Sequence, residues 1–490
     1  LFDPGSLTLS GSIVAQKGVI VLQPTVFDPT GARFSTGAEG RLRLLADNVT
    51  YRDAQFANGN KMDVTDNVLG TPESIRFAGL IESTGSNSVE LGTNGIFRSE
   101  GATFTGPWLM RGAALKGVLT TGNGGFIWEN GDLGPSVSHT GGVKGDFVIR
   151  VGGSPATRVL GKFTNRGYVT QNRSLSVNEG VVGTDPVEGE IVLESSSTWE
   201  IVENAALTPG TFTGNREPSI TIKSDGTLIH SGSSASSQSQ VALKSILESG
   251  GSVRNDAGTL EFTGSGNVFD GSFNVNNSLD RDAKIRLSGE SRLEASVDLG
   301  DGGVFELAES SPGTILQVLS ATGTGEVSLA KGTLEILALS PAVFPTASIL
   351  SIGGPDEDGL DVGGVLMRIK SSSFAPTYAV EFFKGDSLFG TFSGLSLSGP
   401  IEWTGRSIGI DLQSGVSIPA ENERGRFNVD PDGSVTIPSG SVSMNDMVFK
   451  NSGTVRHGSG GTSPGMTLRR VTVDNVGEWL IDGSGNISSP

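Results

Sequence analysis

An asparagine and a glycine two residues apart, held between apolar residues, recur along this chain and constrain its fold more than any other feature. Phe163-Thr164-Asn165-Arg166-Gly167-Tyr168-Val169 sets the pattern. It returns at Phe449-Lys450-Asn451-Ser452-Gly453-Thr454-Val455 and at Val473-Asp474-Asn475-Val476-Gly477-Glu478-Trp479, with a looser copy around Asn255. Glycine enters a positive-φ corner without steric cost. Asparagine tolerates the same region and hydrogen-bonds nearby backbone. The last two copies lie 24 residues apart, a spacing that suits one coil of a parallel β-helix with three short strands and three turns. Stacked coils would bring Asn165, Asn255, Asn451 and Asn475 into a polar ladder beside the corner residues Gly167, Gly453 and Gly477. Phe163, Val169, Phe449 and Val455 would then point inward. An array of β-sandwiches, in which Asn-x-Gly turns are also common, is the alternative.

The rest of the chain reads as short strands between turn residues. Glycine supplies 72 of 490 positions, and segments such as Val304-Phe305-Glu306-Leu307 and Val327-Ser328-Leu329 alternate apolar with polar. The best helical candidate is Val241 to Glu248, ended by Gly250-Gly251. A second repeat, Pro-Gly followed by an apolar residue, occurs at Pro4-Gly5, Pro209-Gly210, Pro312-Gly313 and Pro464-Gly465. Pro-Gly pre-sets a type II turn, from which a strand is expected to leave.

Composition removes several function classes. There is no cysteine, so thiol nucleophiles, iron–sulfur clusters and disulfides are excluded. A net charge of −18 opposes nucleic acid and anionic membranes as partners of the chain as a whole. No segment approaches the roughly 18 apolar residues of a spanning helix. His139, His230 and His457 are too scattered for a zinc site and are expected at surfaces or turns. Gly405-Arg406-Ser407-Ile408-Gly409 matches a nucleophile elbow in letters, but the residues that follow alternate as a strand where the elbow needs a helix. The acidic loop Pro355 to Asp361 offers Asp356, Asp358 and Asp361 as candidate calcium ligands, since calcium takes six to eight oxygens. Asp430-Pro431-Asp432 and Asp280-Arg281-Asp282 are lesser acidic turns. No other cofactor is expected. The five tryptophans are expected mostly in the core.

Asn-x-Gly coils mixed with Ser-Pro-Gly turns resemble large bacterial extracellular parallel β-helix proteins, the autotransporter-passenger-like and filamentous adhesin-like surface proteins. The order Tyr378-Ala379-Val380-Glu381-Phe382-Phe383, Gly390-Thr391-Phe392, Ile401-Glu402-Trp403 and Ile408 to Leu412 is similar to the segment that closes a β-helix run in such proteins. The resemblance implies an all-β, right-handed parallel β-helix located outside the cell or on its surface. It implies a structural or adhesive role in a surface fibre, filament or large adhesin, without catalysis. The other readings are a polysaccharide lyase or hydrolase and a phage tail-spike-like shaft. Acids with arginines or lysines on adjacent coils would favour the enzyme.

The expected organisation is a solenoid over residues 1–340, a capping or inserted β module over 341–412, a linker over 413–424 and a second solenoid segment over 425–490. At about 22 residues per coil the chain would form about twenty coils, roughly 100 Å long. Coil patterning begins by Asp3-Pro4-Gly5 and is still running at Pro490, so the ends are expected to pair with further sequence or with copies of the chain. Surface glycans are a further expected partner.

Overall fold

A computed structural model describes residues 7–300 apart from 24–26, 46–48, 66–74, 93–94, 151–155, 183–184, 213–216 and 277–282. Beyond residue 300 it describes chiefly the strands, with side chains mainly at 302–306, 449–455 and 471–481. Every regular element among the described residues is a β-strand. The chain divides into two compact units, residues 1–231 with 239–246, and residues 232–238 with 247–490.

In each unit the strands pair mostly in parallel with their counterparts one coil on, which builds a β-solenoid of about 13 turns among the described residues. The register is the informative feature. In the first unit one column of inward residues runs Leu42, Met62, Val89, Trp108, Phe126, Phe147, Val169, Trp199 and Leu228, each paired with the next across neighbouring coils. All nine are buried. A second column carries Val137, Phe163, Ile191 and Ile220. In the second unit Leu260, Ile285 and Phe305 stack in the same way; buried Phe449 pairs one coil on with Val473, which is exposed. Phe163, Val169, Phe449 and Val455 are buried, as the Asn-x-Gly pattern requires.

Aromatic rings exploit this stacking. Phe126, Phe147, Phe163 and Trp199 touch in succession at centroid distances of 5.3, 5.4 and 5.4 Å. Trp108, Trp128 and Trp199 are fully enclosed, which makes them core residues and leaves them unable to stack a sugar. Phe126 and Phe147 stack across neighbouring coils, whereas Phe147 and Phe163 meet within one coil, so the rings tie the core both along the stack and across it.

Four features differ from the sequence reading. Coils vary in length, from 18 residues between Trp108 and Phe126 to 30 between Val169 and Trp199, where a uniform coil of about 22 was expected. Some strands run on through the coil corners. Trp108–Thr121 and Phe126–His139 are 14 residues each, and their pairing shifts register between Met110 and Ala113. The helix expected over 241–248 is instead two strands, Gln238–Val241 and Lys244–Leu247. Val241, Leu243, Ser245 and Leu247 are buried in alternation, so the period is two, and the apolar spacing imitated a helix only because Ile246 and Leu247 adjoin. At Pro209-Gly210 a strand ends, where one was expected to begin.

The antiparallel pairings beyond residue 300 fall within the stretch read as a capping or inserted module. Ile349–Ile352 pairs antiparallel with Gly359–Asp361, which in turn pairs antiparallel with Pro400–Ile410. Gly405 to Gly409 lie inside that last strand, so the Gly-x-Ser-x-Gly letters form no strand-to-helix elbow.

Two substitutions test the packing. Phe163→Ala should lower unfolding free energy by about 3–5 kcal/mol, as for a fully buried phenylalanine. Tyr51 is fully enclosed and its hydroxyl has no hydrogen-bond partner. Tyr51→Phe should therefore raise stability by about 1 kcal/mol, because it removes a desolvated, unsatisfied group. Denaturant midpoints read both effects.

Candidate functional site

The Asn-x-Gly corners do their work between coils. The Asn165 side-chain carbonyl accepts the Gly167 N–H at 3.0 Å, and its amide donates to the Thr198 carbonyl one coil on at 2.8 Å. Asn451 repeats this with Gly453 at 3.1 Å and Glu478 at 3.0 Å. Asn255 donates to the carbonyls of Gly258 and Lys284, both at 2.8 Å. Among these corners, an amide-to-amide bond is found between Asn451 and Asn475, at 2.6 Å. The others tie side chain to backbone, because register places Leu193 over Asn165 and Val275 over Asn255. The glycine is also needed for a different reason from the one expected. Gly167 and Gly477 do not sit at positive φ. A methyl group there would run into the carbonyls of Gly141 and Gly453 on the coil below.

Two histidines expected at surfaces or turns are wholly buried and perform the same service. His139 lies directly beneath Asn165 in register. Its Nε2 is 3.2 Å from the Tyr168 carbonyl and its Nδ1 is 3.0 Å from the Thr121 hydroxyl. A carbonyl can only accept, so Nε2 carries the proton and Nδ1 accepts from Thr121. Burial holds the His139 pKa below the ordinary histidine value, which keeps the ring neutral. His230 Nε2 donates to the Glu203 carbonyl at 2.9 Å.

Of the proposed calcium ligands, Asp356 and Asp358 lie outside the described residues, as do Asp280, Asp282, Asp430 and Asp432. Asp361 ends the strand Gly359–Asp361. Among the described residues no group of three or more His, Asp or Glu is arranged to hold a metal.

Charged residues converge instead on one outer face of the first unit. An outward column there runs Arg43, Asp63, Glu90, Leu109, Ile127, Val148, Thr170 and Glu200, one residue per coil. Asp63 accepts from Arg41 Nη2 at 2.9 Å, with Lys61 and Arg43 at 3.7 and 3.9 Å. Glu90 stands 3.8 Å from Lys61 and 3.7 Å from Arg111. Glu129 is held from both sides, by Arg111 at 2.5 Å and by Arg150 at 2.7 Å. Farther along, Glu200 accepts from Lys144 at 2.7 Å, Tyr168 at 2.8 Å and Ser231 at 2.7 Å.

The face is layered by sign. The side chains of Asp63, Glu129 and Glu200 are 8%, 9% and 5% exposed, whereas those of Arg43, Arg111, Arg150 and Lys144 are 41%, 46%, 44% and 62% exposed. Acids lie beneath and bases lie over them. The Arg111 hydrogen bond is the largest influence on Glu129, and with Arg150 it keeps that carboxyl below the usual range despite burial. Burial pushes Glu200 up, but its bonds to Lys144, Ser231 and Tyr168 outweigh it and the carboxyl stays ionised. Both acids act as fixed counter-ions for the bases above them.

Sequence reasoning missed this face entirely. The outward position of each residue is readable from strand alternation. Their assembly into one column depends on unequal coil lengths, and no local spacing encodes it.

The buried histidine gives a pH test. Its folded pKa is depressed, so the unfolded chain binds the proton more readily. Stability from this group is complete above the ordinary histidine pKa of about 6.5 and falls as pH drops below it. His139→Asn, which places at this corner the residue used one coil above, should flatten the slope of stability against pH between 6.5 and 5 by up to about one proton. Urea titrations across that range read the change.

No protein-family profile matches this chain, and neither a curated protein nor a solved structure matches it.

Proposed function

We propose that this chain is a structural and adhesive β-solenoid, part of a surface fibre, filament or large adhesin working outside the cell. The observation that carries the reading is the redundancy of ties between successive coils. Beside the backbone pairing, each kind of layer has its own link: stacked rings inside, Asn and His bonds at corners, and ion pairs outside. Force along such a stack is shared among many hydrogen bonds, which suits a part that must stay rigid under load. The absence of cysteine fits a surface protein of a bacterium, and a charge of −18 opposes lateral clumping. Copies of the chain would join by pairing strand on strand, coil against coil. Stacking of that kind is heterologous and grows into a filament unless rotation closes it.

Carboxylates and bases on neighbouring coils, as at Asp63, Glu90 and Glu129, favour a second reading as a carbohydrate-active enzyme. Its weakness is that Glu129 and Glu200 are held ionised by their partners, which suits neither to donate a proton near neutral pH.

Sedimentation with electron microscopy tests the structural reading. Copies should join end to end into filaments as concentration rises, and particles that stay single at every concentration would overturn the fibre role. Incubation with polygalacturonate should leave the polymer's length unchanged. Shortening that disappears in Glu129→Gln would establish the enzyme.

A further inference from the structure

We infer that the layered face of the first unit binds a carboxylate-bearing polysaccharide laid across successive coils; this rests on the adhesive reading above. The face is built as a row of fixed cations. Each exposed base is anchored by a buried acid, so its side chain is held before any ligand arrives, and the ordering cost of binding is reduced. An arginine has five N–H donors, more than these acids use. Arg150 gives Nε and Nη2 to Glu129 and keeps further donors for an outside group. At the other end of the row, Arg41 gives Nη2 to Asp63 and Arg43 stands 3.9 Å from it, and the side chains of both are about two-fifths exposed, at 39% and 41%.

Geometry selects a linear ligand. Arg43, Asp63, Glu90, Leu109, Ile127 and Val148 sit on six consecutive coils, with Arg111 and Arg150 beside the last three. At the strand spacing of about 4.8 Å this row is about 24 Å long. The bases recur along it at both ends and on one flank. The half-buried strip Leu109, Ile127 and Val148 lies between them. An aliphatic strip accepts the C–H face of a sugar ring, while the planar guanidinium fork matches a carboxylate. Single-stranded nucleic acid needs aromatic platforms for its bases, and this strip offers none. The net charge of −18 repels a polyanion from the rest of the chain, so binding should be confined to this face and weakened by salt.

Fluorescently labelled polygalacturonate oligomers, titrated against the whole chain, test the inference beside neutral dextran and single-stranded DNA of similar length. Saturable binding to polygalacturonate is expected, falling with salt, with none to dextran and weaker binding to DNA. Arg43→Gln with Lys61→Gln removes two bases yet leaves Asp63 its closest partner, Arg41. Affinity should fall by about tenfold or more, in line with lost hydrogen bonds to charged groups. Lys61→Gln alone, at a half-exposed position, should give part of that loss and serves if the double variant folds poorly. Lys162→Gln with Lys223→Gln removes the same charge from a different face and should leave affinity unchanged. Absence of polygalacturonate binding, equal losses in the two double variants, or DNA bound as tightly would each overturn the inference. Filament formation scored in the same samples separates the two ideas, because filaments without polysaccharide binding sink the ligand and spare the structural reading.

Discussion

Parallel, in-register pairing between coils is the constraint on which everything else depends. It sets each residue on the residue one coil before it, about 4.8 Å away, and so turns a sequence into columns. Inward columns must be apolar and shape-matched, as the run from Leu42 through Trp108 and Phe147 to Leu228 is. Outward columns bring charges together, and like charges face to face repel, so Asp63 and Glu90, paired on neighbouring coils, share Lys61 between them at 3.7 and 3.8 Å. Corners must allow backbones to approach, and for this reason Gly167 and Gly477 leave no room for a side chain above Gly141 and Gly453.

The same rule explains the buried polar groups. A buried polar group at a corner must find a partner, and backbone carbonyls of the next coil lie within its reach. Asn165 supplies a donor to Thr198 and His139 supplies one to Tyr168. Amide and neutral imidazole are interchangeable here because both present an N–H at the end of a short planar group. The depressed pKa of His139 follows from that duty, since a ring enclosed in the core is stable there only when uncharged.

On the layered face the energetic balance is different. Burying Asp63, Glu129 and Glu200 costs desolvation, compensated at Glu129 and Glu200 by two or more donors from side chains on other coils and at Asp63 by a hydrogen bond from Arg41 with the charges of Lys61 and Arg43 nearby. Such a network adds less to stability than an apolar strip of the same size would. Its distinctive product is orientation: guanidinium and ammonium groups stand at fixed intervals on the surface of an acidic chain. An isolated surface ion pair would hold them poorly.

Sequence alone determined the fold class. Strand alternation and the Asn-x-Gly corners are local signals with a local physical cause, and Phe163, Val169, Phe449 and Val455 are buried where those signals put them. Local signals failed where two periods fit the same letters, as at Val241 to Leu247, and where polarity stood in for position, as at His139 and His230. The charged face was decided by tertiary structure alone. Coils here take from 18 to 30 residues, so the partners Arg41 and Asp63, Arg111 and Glu129, or Lys144 and Glu200 share no common spacing. Which residue stands over which is fixed by the packing of inward rings and by the length of each connecting turn. Both are properties of the whole stack, and neither can be read from any single coil.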